Sequence, residues 1–272
     1  MKILAVVVSY YPERELLKNN IAAFVDYVDQ LLIWENTPQK DKEKYRFISH
    51  DKVEYCGDGI NSISHALNFA WRYAKDNGYD YLLTMDQDSV FEDFLGYRDA
   101  VIRLNSNELC IIGPDTIKRD SKCAEFISVP AIITSGMLIS VLMLDILNGY
   151  CEFFSVDAVD SELCVKATSK GYKVYQHTRT FLQHQFGEVV SNNHDKPVLE
   201  RNYSANRLYG IFRNHIILWR KYGENTWLRE ILLYYVRTYL VGVLLYDHQK
   251  IKKIKAILSG VWDGYRFNIT LL

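Results

Sequence analysis

The stretch from Tyr79 to Ser89 constrains the fold and the function of this chain more than any other stretch. A short apolar, β-prone run ends there in two carboxylates one residue apart, Asp86 and Asp88. Such a run is typical of a buried strand that delivers acidic groups to the edge of a sheet. Because side chains alternate along an extended segment, the two carboxylates are predicted to point the same way and to bind one divalent cation.

A simpler interpretation of the same stretch is a turn, because Asp and Ser residues after a strand often cap the next helix. Asp-x-Asp alone is a weak motif. A bound Mg²⁺ would keep waters and take substrate phosphates as further ligands, so the pair could hold a cation and a diphosphate together. The rest of the chain decides between the two interpretations.

Composition and charge are those of a globular protein. The 272 residues suffice for one large α/β domain with an elaborated end, or for two small domains. The net charge of −1 gives no reason to expect nucleic acid as a partner. The charge is uneven, because residues 201–272 hold twelve Lys and Arg against four Asp and Glu, a net +8, which leaves −9 for residues 1–200.

Cysteine usage and hydropathy favour a cytoplasmic protein. Five widely spaced cysteines predict neither a disulfide framework nor a zinc site, and we interpret them as buried thiols of a reducing compartment. The apolar N-terminus, residues 1–8, is too short for a signal peptide and is interpreted as the first strand. No run of about 18 to 20 apolar residues occurs, so no transmembrane helix is predicted.

Strands and helices alternate in the first part of the chain, which predicts a parallel, doubly wound sheet. The predicted strands are 3–8, 31–34, 53–56 and the run that ends at Asp86, and the predicted helices are 12–27 and 62–74. Ligands of such sheets bind at the carboxyl ends of the strands. Three polar clusters fall at those ends, namely Ser9-Tyr10, Glu35-Asn36 and Asp86-Gln87-Asp88.

The middle of the chain is less regular, with strands predicted at 109–113, 132–140 and 172–176. Asp157, Asp160 and Glu162 cluster near the start of a short helix that Gly171 is predicted to end. Acids in a first turn often only complement the helix dipole. Of the histidines that follow, His177, His184 and His194, each is by itself more often a structural residue than a ligand.

From about residue 198 the chain is predicted to be helical, with an apolar face between 228 and 244. That face either packs onto the domain core or a dimer partner, or forms a peripheral membrane contact. The second interpretation adds the basic residues Lys250, Lys252, Lys253 and Lys255, which would face an anionic membrane surface.

Taken in order, these segments resemble glycosyltransferase family 2, which has the GT-A fold, and especially its bacterial rhamnosyltransferase-like branch. The resembling residues are Val7 to Pro12, Glu35-Asn36-Thr37, Ala66 and Asn68, Met85 to Ser89, Thr134-Ser135-Gly136, Val156 to Cys164, His184, Gly187 and Arg213-Asn214. The resemblance implies an α/β fold with a doubly wound mixed sheet and a C-terminal helical extension. We expect a catalytic domain at 1–198, with a nucleotide-sugar half at 1–110 and an acceptor half at 111–198, and the extension at 199–272.

The resemblance also implies roles for individual residues. The expected nucleotide-binding residues are Ser9, Tyr10, Tyr11, Glu35, Asn36, Asn68, Asp86 and Gln87. Asp86, Asp88 and His184 would hold Mg²⁺ or Mn²⁺, and Asp160 would be the catalytic base, with Asp157 and Glu162 as alternatives. The chain departs from the family at Tyr11, Glu35 and Ser62, where the family usually has Asn, Asp and Gly.

These roles imply a metal-dependent, inverting transfer of a sugar, with dTDP-rhamnose favoured among dTDP- and UDP-sugar donors. The acceptor would be a saccharide or a lipid-linked saccharide of a cell-surface polymer, met in the cytoplasm or at the inner face of the plasma membrane. A cation would stabilise the leaving diphosphate, and one carboxylate would take the proton of the acceptor hydroxyl. Homodimerisation through the C-terminal helices is a further expectation.

Two other function classes compete with this one. A nucleotidyltransferase would usually carry a Gly-rich basic loop after the first strand, and residues 9–13 contain neither Gly nor Lys. A glycan-binding subunit without turnover would not need the three acids Asp86, Asp88 and Asp160. A soluble sugar-nucleotide hydrolase is less suited to the basic, apolar C-terminal helices.

Overall fold

The computed structural model of the chain describes residues 1–119, 123–184, 203–223, 225–247 and 249–272. The chain divides into two units, the first comprising Met1–Ser155 and Val159–His184, and the second Val156–Ala158 and Gln185–Leu272. The expected domain boundary between 198 and 199 lies outside the described residues, as do Gly187 and His194.

The apolar runs of the first unit form a mixed sheet. Its strands are β1 (Ile3–Ser9), β2 (Gln30–Glu35), β3 (Val53–Cys56), β4 (Tyr81–Asp86), β5 (Val90–Phe91), β6 (Cys110–Asp115), β7 (Phe126–Ser128), β8 (Met137–Ser140) and β9 (Lys173–Gln183). Within the described residues their order is β3-β2-β1-β4-β8-β6-β9-β5, and β7 pairs with β9. Strands β1 to β4 pair in parallel, while β8 is antiparallel to β4. The predicted doubly wound, mixed α/β fold is confirmed.

Helices connect these strands. They are α1 (Arg14–Ala22), α2 (Ile63–Asp76), α3 (Phe94–Asn105), α4 (Val141–Leu147) and α5 (Val159–Ser169), with short 3₁₀ helices at Val25–Tyr27 and Gln39–Tyr45. The Ser62 hydroxyl caps α2, and Gly171, as predicted, follows α5 with a left-handed φ of +86°.

Three predicted element boundaries were wrong. The helix predicted to reach residue 27 ends at Ala22, because the next amides bond to carbonyls three residues back and the chain tightens into a 3₁₀ turn. The strand predicted to start at 132 starts at Met137, since the Met137 amide bonds to the Thr134 carbonyl and closes a turn first. Strand β9 extends well past 176, to Gln183.

The register of the parallel strands places their polar ends side by side. Residues 3–7 of β1 are almost fully buried, as expected for a strand that is covered on both faces. Val8 pairs with Asp86 of β4, and Ser9 pairs with Glu35 of β2. The carboxyl ends of these three strands therefore form one polar edge.

Helices form the second unit. They are α6 (Ala205–Lys221), α7 (Thr226–Tyr235), a π-helical segment (Val236–Leu240), α8 (Val241–Tyr246), α9 (Lys250–Arg266) and a 3₁₀ turn (Ile269–Leu271). The core of this unit is formed by the buried side chains of Leu208, Ile211, Phe212, Tyr239, Val243 and Ile257. Helices α6 and α9 pack closely at Gly260, where a Cβ atom would lie 2.5 Å from the Tyr209 carbonyl oxygen.

Most of the apolar face predicted between 228 and 244 packs inside this unit. Leu228, Tyr239 and Val243 are buried, while Val236 and Leu244 are exposed. Packing onto the core is therefore the main role of that face. None of the described helices is long and apolar enough to cross a membrane.

All five cysteines are free thiols. Only Cys110 and Cys164 are buried, whereas the other three are half-buried, so the expectation that all five are buried was wrong. Burial raises the pKa of the Cys56, Cys110 and Cys164 thiols to about 12 in each case, so these side chains stay protonated near neutral pH.

Val156–Ala158 is an unusual backbone segment of the second unit. Asp157 and Ala158 have φ angles of 55° and 67°, a left-handed conformation that residues other than glycine rarely adopt. The buried Asn214 side chain holds the segment, because its amide nitrogen lies 3.1 Å from the carbonyl oxygens of both Val156 and Asp157. Its oxygen accepts two hydrogen bonds from the neighbouring Arg213 guanidinium.

Replacing Asn214 by alanine is expected to destabilise the protein. The substitution leaves two part-buried carbonyl groups and the Arg213 guanidinium without this partner, which costs about 1 to 3 kcal/mol of the free energy of unfolding. Urea unfolding followed by circular dichroism measures the change. Asn61→Ala, at an exposed position, is the control and should change the free energy by less than about 0.5 kcal/mol. Equal effects of the two substitutions would contradict the role given to Asn214.

Candidate active site

Asp86 and Asp88 meet at the polar edge, although not in the way that the sequence predicted. Strand β4 ends at Asp86 and the next two residues form a turn, so strand alternation does not orient Asp88. The turn nevertheless brings the two carboxylates together with His184. Ligand atoms of these three side chains all lie within 4.8 Å of one another.

Two buried side chains fix the Asp86 backbone. The Asp86 amide donates to the Ser135 hydroxyl at 3.1 Å, and the Asp86 carbonyl accepts from the Asn20 amide nitrogen at 2.6 Å. Ser135 belongs to the Thr134-Ser135-Gly136 segment that carries part of the family resemblance, whereas Asn20 was missed. In the sequence, Asn20 lies between the apolar residues Leu17 and Ile21 of an amphipathic helix. A polar side chain buried on that face needs a hydrogen-bond partner elsewhere in the chain.

His184 follows β9 and completes this cluster. Its Nδ1 atom lies 2.7 Å from the Ser89 hydroxyl oxygen and 4.0 Å from the Asp88 carboxylate. A hydrogen bond of this kind orients an imidazole ring. His177, by contrast, is buried beside Thr180, and burial lowers its pKa.

The donor set of the cluster fits a divalent cation. Carboxylate oxygens are the preferred ligands of Mg²⁺ and Mn²⁺. An imidazole nitrogen is a softer ligand that first-row transition ions accept more readily than Mg²⁺ does. Asp86, Asp88 and His184 can therefore hold Mg²⁺ or Mn²⁺, each with one ligand atom.

Glu35 lies at the end of β2 and is bound by an arginine that the sequence analysis missed. Its side chain is only 3% exposed, and both carboxylate oxygens accept hydrogen bonds from Arg46, the shortest at 2.7 Å. Arg46 follows the 3₁₀ helix Gln39–Tyr45, so no local motif marked it. The neighbouring Ser9 and Asn36 are also buried, with Ser9 bonded to the Trp34 carbonyl and Asn36 to the Trp34 indole.

Tyr10 and Tyr11 are the exposed members of the predicted nucleotide site. Their rings meet edge to face with centroids 4.7 Å apart, and Tyr11 is in turn 5.6 Å from Tyr45. Tyr11 has a left-handed φ of 45°, at the position where the resembling family usually has Asn, which tolerates that conformation better. Gln87 brackets Tyr10, accepting from its amide at 2.6 Å and donating to its carbonyl at 3.2 Å.

Asn68 of α2 is buried, and both the nitrogen and the oxygen of its side-chain amide form hydrogen bonds within the protein. Its amide nitrogen donates to the Tyr150 carbonyl and the Glu152 carboxylate, and its oxygen accepts from the Tyr150 amide. One turn earlier, His65 lies between Asp58 at 2.7 Å and Glu152 at 3.2 Å. Burial opposes the charged imidazolium, but the hydrogen bonds to both carboxylates outweigh it and raise the pKa of His65. No motif in the sequence indicated this His65 cluster.

The three candidate bases have different surroundings. Glu162, almost fully buried, forms an ion pair with Lys166 at 3.1 Å. Asp157 forms an ion pair with Arg207 at 3.3 Å; burial raises its pKa while Arg207 opposes that shift. Asp160 is half-buried in the first turn of α5, and its Oδ1 atom accepts from the amide and hydroxyl of Ser161.

One curated relative is similar to this chain along almost its whole length. It is the dTDP-rhamnosyl transferase RfbF of Shigella flexneri, which is 26% identical to the chain over 97% of the chain and 95% of its own length. No protein-family model matches the chain.

Several solved structures have a fold similar to that of this chain. A structure of GalNAc-T7 with UDP, GalNAc and Mn²⁺ matches 82% of this chain with a TM-score of 0.61 and 12% identity, and the match covers 49% of the GalNAc-T7 chain. The mannosyltransferase PcManGT of Pyrobaculum calidifontis, with GDP-Man and Mn²⁺, matches 96% of this chain and 75% of its own (TM-score 0.56, 15% identity). S. aureus TarS 1-349 with UDP-GlcNAc matches 99% and 74% (TM-score 0.51, 14% identity). The chain therefore has the GT-A fold of these glycosyltransferases, and its sequence is similar to that of a dTDP-rhamnosyl transferase.

Proposed function

We propose that this protein transfers a sugar from a nucleotide-diphosphate donor to a saccharide or lipid-linked saccharide in the synthesis of a cell-surface polysaccharide. The observation that carries the proposal is the cluster of Asp86, Asp88 and His184 at the carboxyl end of β4. Proteins of the same fold bind UDP, UDP-GlcNAc or GDP-Man, two of them together with Mn²⁺. A cation site at this edge is suited to the diphosphate of such a donor.

The proposed donor is dTDP-rhamnose, because the similar curated protein is a dTDP-rhamnosyl transferase. The exposed rings of Tyr10 and Tyr11 offer apolar faces on which a base can stack. Glu35 differs from the Asp of the resembling family and is neutralised by Arg46. The polar groups that a base would meet here therefore include the Arg46 guanidinium, which is 37% exposed.

The proposed reaction is a single displacement. The acceptor oxygen forms a bond to the anomeric carbon while the bond from that carbon to the diphosphate oxygen breaks, and the acceptor proton passes to a carboxylate. A cation bound at the Asp86 cluster supplies positive charge that stabilises the leaving diphosphate. Attack from the opposite side inverts the configuration at the anomeric carbon.

Asp160 is the proposed base. Its half-buried carboxylate is oriented by two hydrogen bonds from Ser161, which is the kind of positioning that general-base catalysis needs. Glu162 is nearly inaccessible and its charge is balanced by Lys166. Asp157 is the first alternative, because burial raises its pKa, which favours proton uptake, while its ion pair with Arg207 opposes that shift.

Metal-dependent binding of a nucleoside diphosphate tests the donor site. Titration calorimetry with dTDP, UDP and GDP, with and without Mn²⁺, should show one nucleotide that binds only with the metal. Asp88→Ala should weaken that binding by at least about tenfold, because it removes one of the charged ligands. Asp99→Ala, at an exposed carboxylate of α3, is the matched control and should bind like the wild type. The absence of binding by any nucleotide would rule out the proposed donor site.

Substitution of the three acids tests the assignment of the base. Asp160→Asn should lower kcat by about 10²-fold to 10⁴-fold while leaving diphosphate binding unchanged. The measurement is transfer of radiolabelled sugar from the identified donor to a lipid extract of the native cells. Glu162→Gln should mainly lower stability, since it breaks a buried ion pair. If Asp157→Asn abolishes transfer and Asp160→Asn does not, the base is Asp157.

A further inference from the structure

Helix α9 exposes a stripe of large apolar side chains. Ile251, Leu258, Trp262 and Tyr265 are 73%, 60%, 60% and 64% exposed. At about 100° per residue these four side chains fall within about 60° of one another around the helix axis. They form one continuous line about 21 Å long, at about 1.5 Å per residue. We call it the α9 stripe.

The α9 stripe is not part of the core of the helical unit. The opposite side of the helix carries Ile257, Gly260 and Gly264, which are buried against the rest of that unit. A surface helix of a globular protein normally has its apolar residues inward and its polar residues outward. Single exposed apolar residues are common, but a contiguous exposed line of them marks an interaction surface.

Positive charge lies along one flank of the α9 stripe. Lys252, Lys255 and Arg266 are exposed and lie about 50° to 110° from the centre of the stripe around the helix. The one acid of α9, Asp263, accepts a hydrogen bond from Tyr209. Lys253, which the sequence analysis included in the basic group, is buried and paired with Asp247, so it anchors the helix and does not belong to this surface.

The types of residue in the α9 stripe favour a lipid surface. Trp and Tyr are enriched where hydrocarbon meets lipid headgroups, because their rings are apolar and carry a polar tip. Lys and Arg beside such a stripe bind the phosphates of anionic lipids. Leu244 and Leu245, at the end of α8, are also exposed.

A second copy of the chain fits this surface less well. In a two-fold symmetric dimer the same patch faces itself, so Lys255 and Arg266 of both copies would approach one another. Such like-charge contacts oppose association. The charge of the whole region from 201 to 272, a net +8, also favours an anionic partner.

We propose that the α9 stripe and its basic flank dock this protein onto an anionic membrane surface. Ile251, Leu258 and Trp262 enter the boundary between headgroups and acyl chains, and Lys252 and Lys255 bind lipid phosphates. This contact goes beyond the proposed transfer reaction and does not depend on it. It would bring the enzyme to a lipid-linked acceptor.

Vesicle flotation with the full-length chain tests the proposal. The wild type should bind vesicles of phosphatidylcholine with one quarter phosphatidylglycerol, and bind vesicles of phosphatidylcholine alone at least about tenfold less. Leu258→Ser with Trp262→Ser, and separately Lys252→Glu with Lys255→Glu, should each reduce binding by about tenfold or more. Leu142→Ser is the control, because Leu142 is 61% exposed in the first unit, and it should not change binding.

Light scattering and diphosphate titration on the same variants keep the outcomes distinct. The substitutions are at exposed positions, so circular dichroism and metal-dependent nucleotide binding should match the wild type. Failure of the wild type to bind anionic vesicles would overturn the proposal, and so would double variants that bind as tightly as the wild type. So would a wild-type dimer that Leu258→Ser with Trp262→Ser converts to a monomer without any vesicle binding, since the stripe would then be a self-association interface. If the wild type binds no nucleoside diphosphate, that result would instead count against the proposed transfer reaction alone.

Discussion

The parallel pairing of β1 with β2 and β4 is the constraint on which the rest of the first unit depends. The three strands are buried on both faces, so their side chains offer the site nothing except at their ends. Their register aligns Val8 with Asp86 and Ser9 with Glu35, which collects acids from separate parts of the chain at one edge. A shift of register would move a carboxylate into the apolar interior, where it would lack solvation.

Neutral hydrogen bonds position the site on this scaffold. Asn20 and Ser135 bind the backbone of Asp86 rather than its carboxylate, so they fix its place without drawing on its charge. The neutral hydroxyl of Ser89 likewise fixes the position of the His184 ring. At the other end of the edge the arrangement is different, because Arg46 neutralises Glu35 directly. The edge thus has an acidic end suited to a cation and a charge-balanced end suited to the base of a nucleotide.

The elements that rest on local pattern could be predicted from the sequence, and the contacts that rest on tertiary structure could not. Strands β1 to β4 and helix α2 were placed within about two residues, since apolar patterning specifies them locally. Asn20 bonds to a residue 66 positions away, and Arg46 pairs with an acid 11 positions earlier, so the local pattern did not identify the partner of either. The resemblance to a known family supplied His184, which spacing alone did not distinguish from His177.

Tyr11 shows what the shape of this edge implies for recognition. A left-handed conformation in a residue other than glycine costs about 1 to 3 kcal/mol, and contacts within the folded chain maintain it here. Contacts with Thr37 and Asp41 hold the residue in place. A nucleotide that stacks on this ring, as in the proposed function, meets a loop that is already ordered. The entropic cost of ordering this loop is then part of the free energy of folding and not of binding. Weak stacking contacts can therefore contribute almost fully to affinity.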